Sequence, residues 1–190
     1  LSFNYGQKHQ FELAAAEKIC QYLAIKEHHL VNLDIKAFSN SALTAKSLAV
    51  AKKVSSDEEI PNTYVPARNI VFLAYAAAFC ENFKLDEIFI GVNAVDYSGY
   101  PDCRPDFIKA FDQALRLGTP AGLAGKLAIK TPFVNWSKSA IIKLGTDLNF
   151  PYHLTHSCYD PSPEGVACGQ CEACFYRRKG FLELNFEPIL

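Results

Sequence analysis

Four cysteines near the C-terminal end are the residues whose type and spacing point most directly to chemistry. They follow the pattern C-x9-C-x2-C-x2-C, at Cys158, Cys168, Cys171 and Cys174. Four thiolates at this spacing can close a tetrahedral shell around one ion, and zinc is the usual ion of an all-sulfur site. Because four protein ligands leave no position for a reacting water, the pattern predicts a structural zinc site. The alternative is a pair of disulfides or reduced thiols without a ligand role.

A second group of candidate residues lies in the loop at residues 93–104, directly after a predicted buried strand. Two tyrosines could stack on a flat heterocycle, and two carboxylates could accept hydrogen bonds from ring N–H or amino groups. With an arginine, the set is Asp96, Tyr97, Tyr100, Asp102 and Arg104. Scaffolded loops often carry function, which makes this loop a candidate ligand pocket. Composition alone equally allows a solvated loop with Ser-Gly and Pro-Asp turns.

Two cations lie near predicted helix N-termini, where exposed backbone N–H groups favour an anion. Arg68 precedes Asn69, a predicted N-cap, and its planar guanidinium suits a carboxylate or a phosphate. Lys138 follows Ser137, another predicted N-cap, and a cation placed against the helix dipole indicates an anion nearby. The alternatives are an arginine that only extends to solvent and a solvated lysine.

The elements that would position these residues alternate between strands and helices. Strands are predicted at residues 1–5, 30–35, 87–92 and 127–131. Helices are predicted at residues 8–23, 69–83, 105–117, 138–145 and 175–184. The alternation predicts an α/β fold with a Rossmann-like, doubly wound parallel sheet, which binds ligands at the carboxyl ends of its strands. Tyr5 and Gln7 follow the first strand and are weaker candidates for a nucleotide pocket.

Two segments carry expectations of their own. Residues 36–66 lack sustained periodicity, and because loops of this length are usually functional or disordered, a mobile segment over an active site is expected. The helix that ends at Phe83 is apolar on nearly all sides and is expected to be deeply buried.

The composition is that of an ordinary globular chain of 190 residues, with 49% hydrophobic residues and a formal net charge of −1. A charge so near zero gives no global electrostatic reason to expect nucleic acid or an anionic membrane as a partner. The longest apolar run, residues 70–80, is too short to span a bilayer, and no secretory signal pattern is present. Seven cysteines, four of them clustered, fit a reducing cytosol, so a cytoplasmic location is expected.

Taken together, these motifs resemble the 7-cyano-7-deazaguanine synthase family of the queuosine precursor pathway over nearly the whole chain. The resemblance rests on Phe-Asn-Tyr-Gly-Gln-Lys-His at residues 3–9, Ile-Pro-Asn-Thr-Tyr-Val-Pro-Ala-Arg-Asn at 60–69, Asp-Tyr-Ser-Gly-Tyr-Pro-Asp-Cys-Arg at 96–104 and the four cysteines. The last two motifs are highly specific in combination. The family belongs to the PP-loop ATP pyrophosphatases, which implies a Rossmann-like domain at residues 1–150 and a zinc module at residues 151–190.

The resemblance implies an ATP-dependent ligase that converts 7-carboxy-7-deazaguanine and ammonia to the nitrile, with one structural zinc ion and with Mg²⁺ accompanying ATP. No nucleic-acid or membrane partner is implied, and a homodimer is left open. Carried over by motif, the deazaguanine pocket would comprise Asp96, Tyr97, Tyr100, Asp102 and Arg104. Arg68 would contact the substrate carboxylate or a phosphate, and Lys138 the phosphates. The nucleotide would approach Tyr5 and Gln7.

Two departures from the family pattern lead to further expectations. The phosphate-binding Ser-Gly-Gly-x-Asp-Ser loop and the strand before it are absent from the sequence, so activity is expected of the intact protein and not of this chain alone. Position 67 is alanine, where the family's Val-Pro-Gly-Arg-Asn form has glycine.

Three other functions compete with this interpretation. A tRNA-modifying enzyme of the same superfamily would need a basic RNA-binding face, which the near-neutral charge does not indicate. An iron–sulfur carrier would share the C-x2-C-x2-C run, but the fourth cysteine lies upstream of it. A zinc-stabilised binding module would leave residues 96–104 unexplained.

Overall fold

The computed structural model describes residues 1–52, 59–93 and 99–190. Strands and helices alternate along these residues. The strands are β1 (Ser2–Asn4), β2 (Leu30–Asn32), β3 (Glu87–Phe89) and β4 (Ala128–Lys130). The helices are α1 (Phe11–Tyr22), α2 (Arg68–Phe83), α3 (Pro105–Gly118), α4 (Pro120–Leu123), α5 (Lys138–Asp147) and α6 (Glu172–Leu182). Three 3-10 turns lie at Ile35–Phe38, Pro101–Cys103 and Tyr152–Leu154. No helix in these ranges combines the length and apolar character needed to cross a membrane.

The described strands form two parallel pairs. β1 pairs with β2, where Phe3 lies opposite Val31, and β3 pairs with β4, where Ile88 lies opposite Ile129. Parallel neighbours need a crossover connection, which α1 supplies in the first pair and α3 with α4 in the second. The predicted α/β fold with parallel strands is therefore confirmed.

Internal contacts divide the chain into two units, and each is described by itself. The first unit comprises Leu1–Pro66 and Ser137–Leu190, and the second comprises Ala67–Trp136. The proposed division into residues 1–150 and 151–190 stays a prediction.

The core of the second unit is built from α2, α3 and the β3–β4 pair. Its most buried side chains are Leu73 of α2 and Leu127, which precedes β4. The buried residues of α2 recur every three or four positions and so form one stripe: Asn69, Leu73, Ala77 and Cys80. Large apolar residues elsewhere on the helix are exposed, including Ile70, Tyr75 and Phe83. The prediction that this helix is deeply buried was therefore wrong, because the overall apolar content of a helix does not reveal which of its faces packs against the core.

Much of the segment predicted to be a mobile loop is packed into the first unit. Phe38, Ala42 and Val65 are at most 3% exposed. The backbone N–H of Ala42 donates to Asn62 O, at 2.8 Å, which ties the two halves of the segment together. The prediction of a mobile loop is wrong for residues 36–52 and 59–66, because turns can bury apolar side chains without any periodicity. Residues 53–58 lie outside the described ranges.

Helix α5 begins as predicted but ends later than predicted. The Ser137 hydroxyl accepts a hydrogen bond from the N–H of Ala140, at 3.1 Å, and caps the helix. The helix continues past Gly145, so the predicted end was wrong. Gly145 leaves room for Tyr152, whose hydroxyl oxygen would lie 2.1 Å from a Cβ at position 145.

Replacing Gly145 with alanine is expected to lower the free energy of unfolding by about 1–2 kcal/mol. Displacement of Tyr152 by the added methyl group costs about 2–3 kcal/mol, and the preference of a helix for alanine over glycine offsets roughly 1 kcal/mol of that cost. The measurement is urea unfolding, read as a lower midpoint with an unchanged slope. The matched control is Gly118→Ala at the end of α3, where a Cβ meets nothing within 4 Å. Equal midpoints for the two variants would contradict the packing role of Gly145.

Candidate functional site

The four cysteine side chains converge in the first unit. Their Sγ atoms all lie within 4.8 Å of one another. Cys171 Sγ lies 4.0 Å from Cys158 Sγ and 3.5 Å from Cys174 Sγ. A tetrahedral shell with metal–sulfur bonds of about 2.3 Å has sulfur–sulfur edges of about 3.8 Å, so the cluster fits one ion. All seven cysteines of the chain are free thiols, which removes the disulfide alternative.

Backbone N–H groups around the cluster point at the sulfur atoms. Cys158 Sγ accepts from the N–H of Asp160 and of Cys168, at 3.3 and 3.2 Å. Cys168 Sγ accepts from the N–H of Gln170 and of Cys171, at 3.5 and 3.4 Å. Hydrogen bonds of this kind favour the charged form of the acceptor. At Cys168 these donors prevail and favour the thiolate, which is the form that binds a metal, whereas burial raises the pKa of Cys158 despite its two donors.

The pKa values of two of the thiols are shifted in opposite directions, and a bound cation would favour the thiolate form of both. Burial raises the pKa of Cys168, but the N–H donors of Gln170 and Cys171 outweigh it and lower the pKa to about 6. Burial and the neighbouring thiols Cys171 and Cys158 raise the pKa of Cys174. Four thiolates this close repel one another, and a bound cation offsets that repulsion. The donor set is therefore that of a metal site.

Two cationic side chains lie beside the cluster. Lys52 Nζ pairs with Asp160 Oδ2, at 2.5 Å. Burial lowers the pKa of Lys52, but its hydrogen bonds to Asp160 and Cys168 outweigh burial and raise the pKa. Arg177 of α6 donates to Tyr152 O and to Thr155 Oγ1, at 3.1 and 2.6 Å. It thereby fixes the chain just before Cys158.

Replacing Lys52 with methionine is expected to weaken metal binding about tenfold, because outer residues that contact ligands tune metal affinity. The measurement is the dissociation constant of zinc, obtained by competition with a chelator. Lys46→Met, at an exposed lysine of the same segment, serves as the control. Equal constants for both variants would rule out a role for Lys52 at the cluster.

The second predicted group lies in the second unit, around the turn Pro101–Cys103. Tyr100 precedes the turn and is half-buried, and Arg104 follows it, is exposed and forms the N-cap of α3. Asp102 is 5% exposed, and its Oδ2 accepts a hydrogen bond from the N–H of Asn69, at 2.9 Å. This contact joins the turn to the start of α2, where Arg68 is half-buried. Asp96 and Tyr97 lie outside the described residues.

The remaining predicted site residues belong to the first unit. Tyr5 follows β1, is buried and packs edge-on against Phe38, with ring centroids 6.0 Å apart. The Gln7 side chain accepts from the N–H of Tyr5, at 2.9 Å, and donates to Phe3 O, at 3.2 Å. Both ends of the Gln7 amide thus support the turn after β1. A nucleotide contact by either residue stays a prediction.

Lys138 occupies the first position of α5, as predicted, and is half-buried. Its Cβ would lie 3.1 Å from a Cβ added at Gly180, so α5 and α6 approach closely at this glycine. The Cβ of Lys138 therefore packs against α6 at Gly180. A phosphate contact by its Nζ stays a prediction.

One polar contact was missed by the sequence analysis, and one helix N-cap was placed at the wrong residue. His9 Nδ1 lies 3.1 Å from Glu12 Oε2 at the start of α1. Burial raises the pKa of Glu12, but the bond from His9 and further hydrogen bonds outweigh it and lower the pKa. The spacing of three residues at a helix start was the available signal. Asn69 was wrongly predicted as an N-cap: Ala67 precedes the helix, and Asn69 lies in its first turn.

These observations define an α/β protein with parallel strands and a four-cysteine metal site near its C-terminal end. The four thiols and the motifs at residues 60–69 and 96–104 carried the resemblance to one family that the sequence analysis described. The chain belongs to that family, described as Queuosine biosynthesis protein QueC, whose model matches residues 1–185. The resemblance stated from the sequence is therefore confirmed.

Curated relatives agree with the family match. A protein of Desulfatibacillum aliphaticivorans is 53% identical over 188 residues, which cover 96% of this chain and 80% of the relative. A protein of Syntrophus aciditrophicus is 50% identical over 192 residues, which cover 98% of this chain and 83% of the relative. A protein of Leptospira interrogans is 53% identical over 184 residues, which cover 96% of this chain and 75% of the relative. All three are named 7-cyano-7-deazaguanine synthase.

Proposed function

We propose that the protein carries out the reaction for which its relatives are named, in queuosine biosynthesis. The reaction joins 7-carboxy-7-deazaguanine with ammonia at the expense of ATP and ends in the nitrile 7-cyano-7-deazaguanine. The observation that carries the proposal is the family match over residues 1–185, supported by identities of 50–53% to synthases that share nearly the whole chain. The match favours this reaction over the tRNA-modifying enzyme and the zinc-stabilised binding module.

The chemistry requires two activations. A carboxylate is a poor electrophile, so ATP first converts one of its oxygens into a leaving group. Ammonia then attacks the carbonyl carbon, loses a proton and displaces the activated oxygen, which gives the amide. A second activation makes the amide oxygen a leaving group, and loss of the remaining N–H protons completes the nitrile. The protein's part is to hold the reactants in line and to stabilise charge on the phosphates.

The second unit carries the proposed substrate pocket. Arg68 lies at the start of α2, and its planar guanidinium suits a carboxylate. We assign it to the substrate carboxylate. Tyr100 offers a ring face for the deazaguanine, and the exposed Arg104 offers a second cation. Asp96 and Tyr97 join them on the strength of the sequence motif. Tyr5, Gln7 and Lys138 stay assigned to ATP, whose phosphates take up Mg²⁺.

The four cysteines are assigned to one structural zinc ion. Zinc has no geometric preference of its own and accepts four sulfur ligands, which matches a cluster in which every Sγ lies within 4.8 Å of the others. The ion would stabilise the fold around Cys158, Cys168, Cys171 and Cys174 and take no part in the reaction. A cytoplasmic location and a homodimer also stay predictions.

The test is mass spectrometry of the product formed by the intact protein from 7-carboxy-7-deazaguanine, isotope-labelled ammonium and ATP. The proposal expects a nitrile that carries the label, together with AMP or ADP, which identifies the phosphate bond that is broken. Absence of conversion by protein that is folded and contains zinc would overturn it. Omitting ammonium is the control, because no labelled or unlabelled nitrile should then form.

A further inference from the structure

The N-terminus of α2 is capped by a residue from another part of the chain. Ala67, the N-cap residue, has a left-handed backbone, with φ 57° and ψ 17°, and a methyl side chain that cannot accept a hydrogen bond. The first N–H groups of a helix need acceptors from outside it. Asp102, 33 positions further along the chain, supplies one through its Oδ2, which lies 2.9 Å from the backbone N of Asn69. A buried carboxylate at a helix N-terminus is also favoured by the helix dipole.

The contact is reciprocal. The Asn69 side-chain amide donates to Asp102 O, at 3.3 Å, and to Cys103 Sγ, at 3.1 Å. The Cys103 thiol in turn lies 4.0 Å from Asp102 Oδ1. Asn69, Asp102 and Cys103 are 7%, 5% and 5% exposed, so these polar groups satisfy one another away from water. We call these contacts the Asn69–Asp102 clasp.

The clasp joins the two motifs that carry the proposed pocket residues. Arg68 directly precedes Asn69, and Tyr100 and Arg104 stand on either side of the Asp102 turn. Any shift between the two segments would change the spacing of the two arginine side chains. Buried networks in which every member is satisfied fix a single arrangement, so the clasp sets that spacing.

We propose that Asn69 and Asp102 are positioning residues, which hold Arg68 and Arg104 in the geometry that receives the substrate carboxylate. This rests on the proposed function. It also assigns Asp102 a different task from direct contact with the deazaguanine ring. A carboxylate that is 5% exposed, with one oxygen accepting from a helix N–H and the other facing a thiol, has little left to offer a ligand.

The test compares Asn69→Ala, Asp102→Ala and Asp102→Asn in the intact protein, with the steady-state KM for 7-carboxy-7-deazaguanine and for ATP as readouts. Both alanine variants are expected to raise the first KM about a hundredfold, since misplacement of a binding group by about 1 Å has effects of that size. Asp102→Asn keeps one acceptor oxygen for the Asn69 N–H but loses the charge and replaces the second oxygen, which faces the Cys103 thiol, by an NH2 group. Its KM should therefore rise only about tenfold. The KM for ATP should change less than twofold in all three.

Two results would overturn the proposal. If Asp102 reads the donor edge of the ring directly, its asparagine variant should fail as badly as its alanine variant, because an amide cannot accept two hydrogen bonds from adjacent donors as a carboxylate does. Asn69→Ala would then leave the KM for the deazaguanine unchanged. If the clasp serves folding alone, the variants would lose thermal stability and active fraction, with both KM values unchanged in the folded remainder.

The matched control is Asp106→Asn, at an exposed carboxylate in the first turn of α3, which should behave as the unaltered protein. Failure of the proposed function is distinguishable from failure of this inference. In the first case the unaltered protein forms no nitrile. In the second it forms nitrile, and the three variants depart from the expected order.

Discussion

Replacing Cys171 with alanine is expected to abolish stoichiometric zinc binding and to unfold the region around helix α6. Cys171 is fully buried, lies 4.0 and 3.5 Å from two other ligand sulfurs, and forms the N-cap of α6. Structural zinc sites contribute about 10–16 kcal/mol of apparent binding free energy in small zinc-dependent peptides, so losing one of four ligands removes a large stabilising term.

Zinc content per chain by mass spectrometry and the thermal unfolding midpoint, recorded with and without a chelator, measure this effect. The chelator should lower the midpoint of the unaltered protein and leave that of the variant unchanged. Cys20→Ala, at a half-buried cysteine of α1 outside the cluster, is the matched control and should retain its metal. Full zinc occupancy in the Cys171 variant would show that the four thiols are not the ligand set.

Replacing Arg68 with alanine is expected to reduce kcat/KM for 7-carboxy-7-deazaguanine by about a hundredfold to a thousandfold. Truncating one partner of a close charge pair costs about 2–5 kcal/mol, because the other charge is left without its partner. The kcat/KM of Arg68→Lys should lie between those of the unaltered protein and the alanine variant. Lysine keeps the charge but cannot bind a carboxylate with two parallel hydrogen bonds. Arg116→Ala, which removes an exposed arginine paired with Asp112, is the control.

The neutral amide intermediate provides a sharper comparison. If Arg68 binds the substrate carboxylate, the alanine variant should lose far less activity with the 7-carboxamide than with the 7-carboxylate. Equal losses with both substrates would instead place Arg68 at a phosphate of ATP. The measurement is the ratio of the two kcat/KM values for each protein.

Features fixed by neighbouring residues were predicted well from the sequence. The cysteine spacing predicted one cluster, and all four Sγ atoms converge. Ser137 caps α5 because its hydroxyl accepts from an N–H only three residues further on. Arg68 and Lys138 both lie at helix starts, as expected.

Features that depend on distant residues were not predictable in the same way. Asparagine is a preferred N-cap residue, so Asn69 was assigned to that position. The acceptor for its N–H is Asp102, and no local sequence pattern connects these two residues. Glycine often follows the end of a helix, so Gly145 was assigned to that position. The structure instead places Tyr152 where a side chain at position 145 would collide with it. The family's glycine at position 67 was a useful signal, because Ala67 adopts the left-handed backbone that glycine favours.

The arrangement of the four cysteine ligands affects the amount of folded protein that survives proteolysis when zinc is scarce. Cys158 precedes Cys168 in sequence and the other two cysteines follow it, so an ion held by all four thiols would close a loop, and α6 begins directly after Cys171. Folding of this region and uptake of such an ion would then be a single equilibrium. While free zinc stays well above its dissociation constant, each tenfold fall in its concentration lowers the stability of this region by about 1.4 kcal/mol. Under zinc starvation, the amount of protein would fall by proteolysis of opened chains before its catalytic rate changed.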